Sequence, residues 1–217
     1  MKKHCFLLFA FVCALLFVFV GCGRQHVQRS EARSPLAHGE FSSAQANAQA
    51  VDSKILVAFF SWSGNARALA GQIAQETGGD LFEIRTVRTY PDVYREAVRE
   101  ARVEIRGNAR PALTGSVTGM EGYSTVFLCF PNWFNTMPMA VFTFLDSYDF
   151  SGKTIYPLVT HGGRRFGRSL DDMQRLCPGA AIGEGLSIRA MSRSPHDGLK
   201  VGVPSGDVSS WLRRLGL

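Results

Sequence analysis

Beyond residue 53 the chain alternates between short, nearly unbroken apolar runs and longer stretches in which apolar residues recur every three or four positions. Ile55 to Phe60 is a run of the first kind, the pattern of a strand buried on both faces. Ala66, Leu69, Ala70, Ile73 and Ala74 then fall at i, i+3, i+4, i+7 and i+8, which predicts a helix that stops at Gly78-Gly79. Leu81 to Ile84 reads as a second strand. Pro91 opens a predicted helix striped by Tyr94, Ala97, Val98, Ala101 and Ile105, with Arg and Glu opposite. After a Gly-, Thr- and Pro-containing connection over 107–122, Thr125 to Phe130 is a third strand and Met137 to Ser147 an apolar helix. Thr154 to Val159 is a fourth strand, in which Pro157 argues for an end or an irregular position. Ser169-x-x-Asp172 has the form of a capping box opening a helix to about Leu176. Ile182 to Ile188 is the last strand, and Val208, Trp211, Leu212 and Leu215 stripe the last helix.

Five strands alternating with helices imply a mostly parallel sheet, because parallel neighbours need a crossover and the crossover is a helix. The expected fold is a three-layer α/β/α sandwich around a five-stranded parallel sheet of order 2-1-3-4-5. In such a sheet ligands bind beyond the carboxyl ends of the strands, where the winding reverses; here that is between the first and third strands.

The first 52 residues follow other patterns. Lys2 and Lys3 precede an apolar run from Cys5 to Val20 and then Gly21-Cys22-Gly23, the layout of an export signal. The run is shorter than the roughly 20 residues a spanning helix needs. Residues 23–52 are polar, rich in Gln, Ala, Ser and His and without hydrophobic period, which reads as a flexible tether ahead of one domain over 53–217.

Charge and cysteine usage narrow the function classes. With 24 Lys and Arg against 18 Asp and Glu the net charge is +6, or +4 once Lys2 and Lys3 leave with the signal. The arginines are scattered, with no basic stripe interleaved with aromatics, so nucleic-acid binding is not expected. Only Cys129 and Cys177 belong to the domain; they are candidates for a disulfide or for two buried free thiols.

Candidate chemistry lies in three loops of the same sheet edge. After the first strand, Ser61, Ser63 and Asn65 offer side-chain donors, Gly64 lets backbone N–H groups turn inward, and the next helix points its positive end at the same spot. This is a phosphate cradle without the lysine of a P-loop; an ordinary strand-to-helix turn is the alternative. After the third strand, Pro131-Asn132-Trp133-Phe134-Asn135 sets two large aromatics where a flat ligand could stack, unless they fold back onto the core. After the fourth, Thr160-His161-Gly162-Gly163-Arg164-Arg165-Phe166-Gly167 is glycine-rich enough for close backbone approach. A Ser63–His161 hydrolase is a weaker reading, because no G-x-S-x-G elbow and no acid in the expected order are present.

Ser61-Trp62-Ser63-Gly64-Asn65-Ala66, Pro131-Asn132-Trp133-Phe134-Asn135-Thr136-Met137-Pro138 and Thr160-His161-Gly162-Gly163 resemble the three flavin-binding loops of flavodoxin-like proteins, with the likeness running from about Ile55 to Leu217. The resemblance implies that Ser61, Ser63, Gly64, Asn65 and Ala66 hold the phosphate of FMN, that Pro131 to Asn135 flank its ring system with Trp133 foremost, and that Thr160 to Gly163 border the other side. Two positions depart: Ala66 stands where Thr is usual and Asn135 where Gly is common. Flavin would carry the redox chemistry, so no general base is required, and His161 is either a donor to flavin or substrate or a supporting loop histidine. Val20-Gly21-Cys22 resembles the lipobox of bacterial lipoproteins, implying a lipid on Cys22 and a membrane-anchored envelope location; plain signal cleavage and an uncleaved anchor are the alternatives. The expectation is thus an FMN-binding electron carrier or small reductase with an unknown redox partner. A tethered binding module with a degenerate flavin site, or an esterase-like enzyme, are the competing readings. Because acidic flavodoxins repel a reduced, anionic flavin, Arg164 and Arg165 predict a less negative reduction potential here.

Overall fold

The computed structural model describes residues 54–189 and 205–217. The expected export signal, the tether and Cys22 lie outside the described residues, and no helix among the described residues is long and apolar enough to cross a membrane.

The elements in chain order are β1 (Lys54–Phe59), α1 (Asn65–Thr77), β2 (Asp80–Glu83), α2 (Tyr94–Arg106), a 3₁₀ turn (Met120–Gly122), β3 (Tyr123–Pro131), α3 (Met139–Asp146), β4 (Thr154–His161), α4 (Ser169–Leu176), β5 (Ala181–Ile182), β6 (Leu186–Arg189) and α5 (Ser205–Leu215). All strand pairs are parallel and the order is β2-β1-β3-β4-β5, with β6 also pairing β4. This is the expected flavodoxin-like sandwich, with the winding reversed between β1 and β3.

Alternate residues of the central strands feed two cores. Leu56, Ala58, Val126, Leu128 and Phe130 join α3 and α4 on one face; Val57, Phe59, Phe127 and Cys129 join Leu69, Ile73, Trp211 and Leu212 of α1 and α5 on the other. A strand with both faces covered shows no polar alternation, which is why these runs read as continuous.

Several local expectations are corrected. The last strand is two segments, parted at Gly183 to Gly185. Pro157 is not at an end. It lies mid-strand, paired in register with Leu128. In β4, Ile155 O accepts from Gly183 N, so residue 157 directs its backbone to that same side, opposite the gap between β5 and β6, where no N–H is needed. The second helix starts at Tyr94 with Val93 as its N-cap, three residues after Pro91, and Tyr94 is half exposed rather than part of the buried stripe. Ser169-x-x-Asp172 is not a capping box: Arg168 is the N-cap and makes no side-chain cap bond. Asp172 is drawn away by tertiary partners, accepting from Thr136 Oγ1 and pairing with Arg175 at 2.6 Å. Cys129 and Cys177 are buried and free, which decides against the disulfide. Burial raises the pKa of both thiols; for Cys177, with Asp146 adding to the effect, it is pushed up to about 11.

Candidate functional site at the carboxyl edge of the sheet

The turn after β1 enters α1 through Gly64, at φ +90°, a left-handed conformation that a side chain would strain. This sharp entry turns the first-turn N–H groups of α1, which have no helical carbonyl to bond, toward the outside of the sheet edge. Ser61 and Ser63 are partly buried, and Ser61 Oγ is shielded from solvent without a hydrogen-bond partner among the described residues. Asn65 is buried at the start of the helix. Ala66 packs into the α1–α5 core, so its methyl group faces away from the turn and this position can serve a ligand through its backbone N–H alone.

Trp62, which the sequence reading passed over, ties this turn to the segment before α2. Its Nε1 donates to Pro91 O at 2.9 Å, and its ring leans on Tyr94 at 6.0 Å between centroids.

The loop after β3 is a two-residue hairpin. Trp133 and Thr136 exchange backbone bonds of 2.8 and 3.1 Å across Phe134 and Asn135, whose φ values are +50° and +71°. Positive φ at both central residues is the turn of a tight hairpin, and Asn tolerates it where most residues do not. Asn132 organises the surroundings. Its Oδ1 accepts from Asn135 N at 3.0 Å, and its Nδ2 donates to Arg165 O in the loop after β4 at 2.7 Å. Its own N–H bonds Thr160 O at 2.8 Å, following the end of β3 at Pro131.

Trp133 does not stand free as a platform. Its ring meets Phe60 edge-on at 5.4 Å and Tyr90 at 5.1 Å, and those two meet each other at 5.6 Å. The two aromatics of the loop therefore divide: Trp133 is half-buried against the core, whereas Phe134 is 41% exposed with the Arg102 guanidinium 5.4 Å over its ring. Tyr90 was also missed. Its hydroxyl donates to Glu104 of α2 at 2.6 Å, and burial followed by that carboxylate raises its pKa.

Thr160 and His161 are buried at the end of β4. His161 Nδ1 has no partner among the described residues. Burial, then the charges of Arg165 and Arg189, holds the His161 pKa below the usual histidine value, so the imidazole is neutral near pH 7. Gly162, Gly163, Arg164 and Arg165 are exposed. Gly167, at φ +55°, backs against the hairpin so closely that a Cβ there would lie 2.4 Å from Asn135 O. The three predicted loops thus meet at adjacent strand ends, joined through Phe60–Trp133 on one side and Asn132–Arg165 on the other. Among the described residues no cluster of His, Cys, Asp and Glu could hold a metal ion.

The family described as Flavodoxin matches residues 54–198, well over half of the chain. The chain belongs to the flavodoxin family. Solved structures agree. A protein from Bacteroides uniformis assigned as a flavoprotein is 27% identical, with a TM-score of 0.64 over 74% of this chain and 98% of that one. One from Bacteroides eggerthii, assigned likewise, is 25% identical, with a TM-score of 0.63 over 76% and 99%. A flavoprotein from Lactobacillus acidophilus, solved in complex with FMN, is 20% identical with a TM-score of 0.54 over 63% and 93%, a likeness of fold. No curated protein matches the chain.

Proposed function

We propose that this flavodoxin-family member binds FMN at the junction of the three loops and works as an electron carrier or small flavin reductase at the cell envelope, held there through a lipidated Cys22. The observation that carries the reading is the Ser61 hydroxyl: a donor shielded from water and without a partner among the described residues, beside the first turn of a helix entered through a left-handed glycine. A buried hydroxyl in that state costs roughly 1–3 kcal/mol, a penalty that a phosphate oxygen would relieve. The solved complex of the Lactobacillus relative with FMN supports the choice of ligand.

In this reading Ser61, Ser63, Gly64 and Asn65, with the backbone N–H of Ala66, hold the phosphate. Trp133, fixed edge-on by Phe60 and Tyr90, flanks the ring system together with Pro131, Asn132, Phe134 and Asn135. Thr160, His161, Gly162 and Gly163 border its other side, where glycines admit backbone N–H groups and a neutral His161 can donate or accept. FMN supplies the redox chemistry; the protein supplies orientation and electrostatics. Arg164 and Arg165, both exposed on this edge, favour added negative charge and so a less negative potential than in an acidic flavodoxin.

The test is FMN titration of the purified protein by fluorescence quenching. Stoichiometric quenching and a yellow protein releasing one FMN per chain are expected. A colourless protein that no added FMN restores would instead mark a degenerate site.

A further inference from the structure

The four arginines of the second helix share one direction, with Glu96 at their border. Arg95, Arg99, Arg102 and Arg106 recur at spacings of four, three and four, which aligns them in one stripe about 16 Å long. Glu100 and Glu104 lie away from this stripe and are engaged elsewhere: Glu100 pairs with Arg88 at 3.3 Å, and Glu104 accepts from Tyr90. All four arginines are exposed, and none has a carboxylate within 4.0 Å among the described residues. Seven other arginines do have one. The stripe is thus a row of four cations without a carboxylate partner on one helix; the other described arginines in that state, Arg164, Arg165, Arg189 and Arg213, lie outside that helix.

Its position is as telling as its charge. Arg102 rests on the ring of Phe134, so the middle of the stripe abuts the loop after β3. Beside it lie exposed apolar side chains, Phe134 at 41% and Val103 at 67%. Arginine with aromatic and aliphatic neighbours is the composition of protein interfaces, and the guanidinium fork matches a carboxylate bidentately.

We propose that the arginine face of α2, together with Phe134, is the docking surface for an electron-transfer protein whose own surface presents carboxylates. The redox character of the partner rests on the FMN reading above; the docking face does not. Long-range attraction between this row and an acidic patch orients the encounter, and Phe134 brings the partner against the loop that flanks the cofactor site.

An acidic [2Fe–2S] ferredoxin serves as the probe, titrated calorimetrically into the full protein at low and at high salt. Binding is expected to weaken about 10-fold or more as salt screens the charges. Reversing two charges of the stripe, Arg99→Glu with Arg102→Glu, weakens low-salt binding at least as much, whereas Arg213→Glu with Arg214→Glu on α5, the same change in net charge, has a several-fold smaller effect. The milder pair Arg95→Gln with Arg106→Gln gives an intermediate loss and guards against misfolding. Equal losses from the α2 and α5 pairs, or no binding at low salt, would overturn the proposal. So would cosedimentation with phosphatidylglycerol vesicles that the α2 pair abolishes while ferredoxin binding is untouched, since that assigns the face to a membrane. Calorimetric binding needs no flavin: a colourless protein that still docks through α2 refutes the FMN reading alone, and a yellow protein indifferent to the ferredoxin refutes the docking face alone.

Discussion

At the amino ends of β2, β3 and β4 the polar groups are matched to one another, whereas at the carboxyl edge, beyond β1 and at the end of β4, two buried polar atoms have no partner among the described residues. On the first edge Tyr123 donates its hydroxyl to Asp80 at 2.8 Å, the buried Lys153 ammonium donates to Tyr123 O at 2.6 Å, and Asp149 accepts from Ser151 N at 2.8 Å. On the second, Ser61 Oγ and His161 Nδ1 are buried without partners, and Phe134, Asn135 and Arg165 account for three of the four non-glycine residues with positive φ among the described residues. Both edges belong to one sheet whose strands feed the same two cores, so the difference is not a matter of a poorer core. Unmet hydrogen bonds and unfavourable dihedrals persist only where surrounding structure enforces them, and they collect where a ligand can use them. One edge holds the fold together; the other keeps binding capacity in reserve.

The sharpest way to break this contrast is to disturb the clamp that enforces the carboxyl edge. Gly167→Ala sets a Cβ 2.4 Å from Asn135 O at a backbone φ of +55°, so the hairpin or the helix entry must shift. A loss of about 3 kcal/mol in unfolding free energy is expected, the left-handed penalty plus the overlap, with FMN binding lost in parallel. Unchanged FMN affinity at reduced stability would mean that the clamp and the site are independent. Next in size, Lys153→Met at the amino edge removes a charge-assisted bond to Tyr123 O while keeping the apolar stem; about 2 kcal/mol of stability should go, with FMN affinity unaltered. Urea unfolding followed by circular dichroism reads both.

Ser61→Ala should do the reverse of Lys153→Met. Removing a buried hydroxyl that has no partner leaves stability equal or slightly higher, because a desolvated group is deleted and no bond is broken. FMN affinity should nevertheless fall, by about 5- to 10-fold for one lost donor worth roughly 1 kcal/mol. A variant that loses stability without losing affinity would remove the distinction between the two edges.

How far each edge was legible in the sequence follows from how local its signals are. The central strands could be read because burial on both faces leaves an unbroken apolar run, and the turn after β1 because Ser61 to Asn65 are contiguous. Thr136 and Asp172 could not be matched: they are 36 residues apart, and Ser169-x-x-Asp172 carries a local signature of helix capping that tertiary partners override. Pro157 looked like a strand end because the gap between β5 and β6 opposite it lies about 26 residues further on and has no local marker. Tyr90, and the bond from Trp62 to Pro91, escaped notice because neither carries chemistry of its own. Each matters only through the ring or loop it holds, and spacing along the chain does not encode that. The division of labour between Trp133 and Phe134 is of the same kind, set by Phe60 and Tyr90 on one side and by Arg102 on the other.

The subtlest difference between the edges is electrostatic, and pH exposes it. Burial and the nearby Arg165 and Arg189 make the folded protein bind a proton on His161 at lower pH than the unfolded chain, whose histidines titrate near 6.5. As pH falls through that value the unfolded state takes up the proton first, so stability contributed by the neutral imidazole is complete above about pH 6.5 and is lost below it. His161→Gln should therefore flatten the acid side of the stability profile between about pH 7 and 5, measured as the urea midpoint at each pH, while the profile of Lys153→Met runs parallel to that of the unmodified protein. Coincident slopes with and without His161 would show that the imidazole is solvated after all. Adding FMN sharpens the comparison, since an anionic ligand on this edge offsets the two arginines and draws the His161 profile back toward that of the Gln variant, whereas a ligand bound anywhere else leaves the gap between them unchanged.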